Sequence, residues 1–218
     1  MEPVKLFGII HWRFGIKRAK KIIDENFKAG EVLGLEITEE HAQEWNSYVE
    51  GKYEVPPDLK NLYYYNVYAY AKNKGIEILP LDSPRLKSLH STPILLAKKY
   101  ALVAALTPLI GAGALIGMSY PTKQDVYKVL RDRQAAGIIS DAIQEGKNVK
   151  GVIIGSAHIL PIAKYLKEKN IPAKAIGGSR LHYWFMDKPA EKRLALEKKL
   201  KGKEKYEKPG FQKIGLRF

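Results

Sequence analysis

The feature that most constrains this chain is a unit that occurs twice. Lys5-Leu6-Phe7-Gly8-Ile9-Ile10-His11 is a short apolar run that delivers Gly-x-x-His, and an amphipathic stretch follows it. Gly151-Val152-Ile153-Ile154-Gly155-Ser156-Ala157-His158 repeats the pattern, and Pro161 suits the first turn of the helix after it. Short apolar runs bounded by polar residues read as buried strands. A strand running into a helix, repeated, implies an α/β fold with a largely parallel sheet and helices on both faces. Ligands gather at the carboxyl ends of such strands. A glycine there lets the backbone turn sharply and lets another group approach closely. His11 and His158 are therefore expected to meet in one active site.

The intervening pattern alternates strands and helices. Spacing predicts a helix over Phe14–Phe27, ended by Gly30, and a strand over Val32–Ile37. Thr38 is placed to cap a helix that starts at Glu39. After the break at Pro56 and Pro57, a tyrosine-rich helix is expected over Asp58–Lys74, closed by Gly75. A third strand, Ile76–Leu81, ends at Asp82. Further on come a helix over Asp125–Glu145, a strand over Val149–Ile154, a helix over Leu160–Lys169 and a short strand over Ala173–Ile176. His182–Phe185 and Gln212–Arg217 read as further strands, and Ala190–Lys205 as a charged helix. Residues 1–187 then form one α/β domain and residues 188–218 a basic extension.

Composition narrows the chemistry. No cysteine is present among the 218 residues, so disulfides, thiolate ligands and a cysteine nucleophile are excluded. Any metal must be held by nitrogen and oxygen. A cytoplasmic location is expected, since nothing at the N-terminus resembles a signal peptide. The net charge is +14, and from Lys188 to Phe218 eleven Lys/Arg stand against four Glu. That tail would attract an anionic partner, nucleic acid or a membrane surface, if it is more than a solvated basic face. Residues 94–120 include the start of an uncharged run, Tyr100–Thr122, interrupted by Pro108, Gly111, Gly113 and Gly117. Short helices buried in the fold or in a homo-oligomer interface are expected there, with membrane association as the alternative.

The candidate site grows from the carboxylates beside the two histidines. Glu36 stands in the apolar strand Gly34-Leu35-Glu36-Ile37, and Asp82 ends the third strand. A carboxylate inside a buried strand is costly unless it is paired, metal-bound or catalytic. Two imidazoles and one or two carboxylates suit a divalent metal with an open position, and equally an acid–base site without metal. By contrast, His41 reads as a surface residue among Glu39, Glu40 and Glu44; Arg131-Asp132-Arg133 has a salt-bridged helix face as its plainer alternative. No nucleotide or organic cofactor is expected.

Taken in order, these motifs resemble the TraB/PrgY family, within the wider group of TraB, Tiki, ChaN-like and erythromycin esterase-like proteins. Gly8 to His11 is similar to that family's first Gly-x-x-His, Val32 to Ile37 to its strand ending in glutamate, and Gly75 to Asp82 to its third-strand stretch. Arg131-Asp132 is similar to its Glu-Arg-Asp motif, with Leu130 in place of the glutamate, and Val152 to Leu166 to its second Gly-x-x-His. Resemblance to Tiki implies a metal-dependent hydrolase with Mn, Co or Zn near His11, Glu36 and His158. Resemblance to the esterase-like proteins implies the same pocket without metal, in which His11 or Glu36 activates water and Arg131 stabilises a developing anion. The leading expectation is a metal-assisted hydrolase of a peptide or small molecule, with catalytic residues His11, Glu36, His158, Arg131 and Asp82. The alternatives are a metal-free hydrolase and a protein that binds and sequesters its ligand.

Overall fold

The computed structural model describes residues 2–9, 13–82 and 123–177, with the backbone alone at 13–14 and 123–127. Five strands form one sheet: β1 (Val4–Ile9), β2 (Val32–Thr38), β3 (Glu77–Asp82), β4 (Val149–Gly155) and β5 (Ala173–Ile176). Their order is β3-β2-β4-β1-β5, and every neighbouring pair is parallel. The helices are α1 (Arg13–Asn26), α2 (Glu39–Val49), α3 (Pro57–Lys60), α4 (Tyr63–Asn73), α5 (Lys123–Gln144) and α6 (Ile159–Glu168). The α/β class expected from the doubled unit is the observed one.

Alternation along the strands divides the core into two layers. Phe7, Ile9, Leu33, Leu35, Ile37 and Ile153 pack against residues of α1, α2 and α4. Val4, Leu6, Val32, Leu81, Val152 and Ile154 pack on the other face against residues of α5 and α6. Gly34 leaves room for side chains of the two strands beside it, on the same face of the sheet. A Cβ on Gly34 would lie 2.9 Å from Val152 Cγ2 and 3.0 Å from Leu81 Cδ1.

This arrangement decides where a ligand can sit. The chain leaves β1 through α1 on one face and leaves β4 through α6 on the other. Right-handed crossovers that travel in opposite directions along a sheet require this, and a crevice opens between two such strands at their carboxyl ends. β1 and β4 are neighbours, with Ile9 opposite Gly155. The strand leading to His11 and the strand leading to His158 therefore end side by side.

Local boundaries follow local chemistry, with two exceptions. Thr38 caps α2, its side chain accepting from the His41 backbone N–H. Gly30, Gly75 and Gly146 all adopt the positive φ that suits the end of a helix or a turn. The single helix expected over Asp58–Lys74 is instead two. Leu62 is extended, at φ −76° and ψ 124°, and α4 restarts at Tyr63. The Asn66 amide donates to Lys60 O and Leu62 O, which bridges the break. The restart turns Tyr63, Tyr65, Val67, Tyr68 and Ala71 into the core, with Trp45 edge-on to Tyr65 and Tyr68. The second correction concerns the Gly-x-x-His glycines. Neither Gly8 nor Gly155 has a positive φ; both lie within strands. The close approach belongs to Gly177, at φ +88°, where a Cβ would stand 3.4 Å from the Gly8 carbonyl oxygen.

Among the described residues no helix is long and apolar enough to cross a membrane. His11, His90, His182, the 94–120 and Tyr100–Thr122 segments, the expected elements at 182–185, 190–205 and 212–217, and the basic extension 188–218 lie outside the described residues.

Candidate active site

Three neighbouring strand ends, β3, β2 and β4, carry the site, and α5 and the start of α6 cover it. Glu36 shares its face of β2 with Val32 and Gly34, so alternation aims it at α5, and Tyr64 at the start of α4 reaches it at the strand end. Its side chain is only 8 % exposed, and both carboxylate oxygens are engaged. Oε1 meets Arg131 Nη2. Oε2 accepts from the Tyr64 hydroxyl at 3.0 Å and from the Gly155 backbone N–H at 3.1 Å. The second of these joins β2 to the glycine that opens the second Gly-x-x-His.

Arg131 joins two strand ends. While Nη2 holds Glu36, its Nε lies 3.1 Å from Asp82 Oδ1. A planar guanidinium with donors on two edges suits two carboxylates at fixed positions better than an ammonium would. Burial lowers the Arg131 pKa from its ordinary value, and the Asp132 charge beside it acts the other way. The guanidinium remains a cation, because its ordinary value lies far above neutrality. Burial first, then Tyr63 and Asp82, push the Tyr64 phenol well above its ordinary value, so Tyr64 stays a donor to Glu36.

His158 ends the Gly155–His158 turn and stands just before α6. Its ring does not cap that helix. Nδ1 lies 2.5 Å from Asp132 Oδ1, and Nε2 lies 3.8 Å from Glu36 Oε1. The Asp132 side chain is 1 % exposed. As a carboxylate it accepts, so the proton of a neutral imidazole belongs on Nδ1 and the lone pair of Nε2 faces Glu36. Lys128, one turn before Asp132, donates to Ala157 O at 3.0 Å and stands 4.0 Å from Asp132 Oδ2.

Of the five site residues expected from sequence, Glu36, Asp82, Arg131 and His158 converge, and His11 lies outside the described residues. Arg131 and Asp132 are not a solvated salt-bridged face: both are buried in the site. His41 is not a surface residue either. It is half-buried, bonded through Nδ1 to Thr38 Oγ1 at 3.0 Å and stacked on Trp45. Sequence reasoning missed Asp132, Lys128 and Tyr64. A signal existed for the first two, because positions 128, 131 and 132 are spaced i, i+3, i+4 and share one helical face. Nothing in the sequence singles out Tyr64 among its tyrosine neighbours.

Of the three residues expected to hold a divalent ion, Glu36 and His158 are described and His11 lies outside the described residues. Glu36 Oε1 already meets a guanidinium and Oε2 two donors, so an ion at Glu36 would share those oxygens with them. No group of three metal-ligating side chains occurs among the described residues.

No family model, curated protein or solved structure matches this chain.

Proposed function

We propose that this protein is a hydrolase of a peptide or small molecule, of the kind implied by the TraB and esterase-like resemblance, in which His158 is the general base. One observation carries this reading: the 2.5 Å contact of His158 Nδ1 with the buried Asp132 carboxylate, which leaves Nε2 facing Glu36. A base oriented by a carboxylate on its far nitrogen is the arrangement that proton abstraction needs.

The gap from Nε2 to Glu36 Oε1, 3.8 Å, is too long for a direct hydrogen bond. It suits a water oxygen at about 2.8 Å from each, donating one proton to either side. Attack by that oxygen on a substrate carbonyl would pass its proton to Nε2. His158, then an imidazolium against Asp132, would return the proton to the leaving group. The contacts of Arg131 support a holding role, keeping Glu36 and Asp82 ionised and apart in a buried site. The location at the strand-end crevice supports a ligand site in general.

The test is turnover of a panel of p-nitrophenyl esters and fluorogenic peptides, in the presence of a chelator. The expected result is hydrolysis that falls by about 10²–10⁴-fold in His158→Ala, measured on protein whose circular dichroism spectrum shows it folded. Equal turnover by His158→Ala, or turnover that the chelator abolishes and Zn, Mn or Co restores, would overturn the reading. So would saturable binding of a panel member without any turnover, which belongs to a sequestering protein.

A further inference from the structure

Among the described contacts, helix α5 meets the Gly155–His158 turn through the imidazole and through a backbone carbonyl. Lys128 and Asp132 lie one turn apart on the same helical face. Asp132 takes the His158 ring, and Lys128 takes the backbone carbonyl of Ala157, the residue immediately before it. Within the turn, His158 N–H donates to Gly155 O at 2.9 Å, and Ser156 N–H donates to Ile9 O at 3.2 Å. Those bonds tie the turn to itself and to β1. Neither fixes it relative to α5, where the carboxylate sits. The start of α6 holds the backbone of the turn, Ile162 N–H donating to His158 O at 3.1 Å, and the His158 side chain makes no capping bond to that helix.

We infer that Lys128 is a positioning residue whose ammonium fastens the Ser156–His158 turn to α5, so that the His158 imidazole stays seated on Asp132. The inference rests on reading His158 as the working base. An imidazole moves with its backbone, and a small displacement of the turn would lengthen the Nδ1–Asp132 bond, which depends steeply on distance and angle. A lysine suits the task. Its stem packs along the helix, its head reaches a carbonyl on another element, and its charge strengthens that bond. The same ammonium lies 4.0 Å from Asp132 Oδ2, so it also favours the ionised acceptor.

The experiment reads the seat of the ring directly. In the full-length protein, the His158 Nδ1–H should give a downfield proton resonance protected from solvent, and Asp132→Asn should remove it. Lys128→Met keeps the stem and removes the donor. It should speed solvent exchange of that proton by about tenfold or more, as expected for loss of a charge-assisted bond. Lys128→Arg should restore most of the protection. On the p-nitrophenyl ester probe, Lys128→Met should lower kcat and leave KM nearly unchanged. If Lys128→Met does not fold, Lys128→Leu, which also lacks a donor, takes its place with the same expectation. An exchange rate equal to wild type, or no difference between the Met and Arg variants, would overturn the inference. Exchange does not depend on turnover. An active His158→Ala protein would therefore remove the hydrolytic reading, whereas unchanged exchange would remove the Lys128 role alone.

Discussion

Asp132 Oδ1 lies 2.5 Å from His158 Nδ1, so the middle of α5 decides which way the second Gly-x-x-His histidine faces. Asp132→Asn should keep the shape and reverse the chemistry. An amide can donate to Nδ1, which favours the tautomer with its proton on Nε2 and removes the lone pair that faces Glu36. Hydrolysis should fall by about 10²–10⁴-fold. Imidazole ¹⁵N chemical shifts should report the tautomer change, and a ring that keeps its proton on Nδ1 would contradict the assignment.

Arg131 is the one cation that the described contacts place on both Glu36 and Asp82. Arg131→Met should leave two buried carboxylates facing each other and cost about 3–5 kcal/mol in urea unfolding at neutral pH. Adding Glu36→Gln should recover part of that loss, because the two sites share one interaction. Additive losses in the double variant would mean that the ion pair is not the source of the effect.

The tyrosine cluster makes stability fall in alkali. Burial, with a smaller push from Glu50, raises Tyr68 from 10.0 to about 12. Burial likewise raises Tyr63, Tyr64 and Tyr65. The folded state thus holds phenol protons that the unfolded chain releases. The stabilisation is fully present below pH 10.0 and is lost as pH rises, through about 12 for Tyr68. Tyr68 should subtract up to about 1.4 kcal/mol per pH unit in that window. Urea midpoints across the window test this, and Tyr68→Phe should flatten the decline. A flat profile would show that the phenols ionise equally in both states.

Two glycine substitutions should act with opposite signs. A Cβ on Gly151 would meet Lys5 O, part of the β1 backbone, at 2.7 Å, and Phe27 Cζ at 3.1 Å. Gly151→Ala should therefore cost about 1–3 kcal/mol as the β1–β4 pair is forced apart. A Cβ on Gly137, inside α5, meets nothing within 4 Å. Gly137→Ala should stabilise by about 0.5–1 kcal/mol through helix propensity. Thermal unfolding of both variants is the check.

Much of the site was legible in the chain for reasons that are local. Glu36 announces itself because a charged residue in an apolar strand needs a partner, whatever the fold. Thr38 marks the start of α2 because its hydroxyl and the His41 N–H lie three residues apart. The break at Leu62 carried no such mark. No proline or glycine stands between Asp58 and Lys74, and the helix restarts because Tyr65 and Tyr68 must reach Trp45 on α2. Asp132 was passed over for a related reason. A charged helical stripe reads the same in one dimension whether it faces water or a strand end.

The sequence by itself determined the strands, their parallel class, the in-strand glutamate and the doubled approach to two histidines. Each of these follows from periodicity or from the chemistry of residues a few positions apart. Only the tertiary structure decided that Arg131 is held by Glu36 and Asp82, that Asp132 sets the His158 ring, and that Tyr64 and Gly155 hold the other oxygen of Glu36. Those pairs come from β2, β3, α4, α5 and the β4 turn. Charge identity states what a side chain can bind, but strand order and helix facing state what it meets.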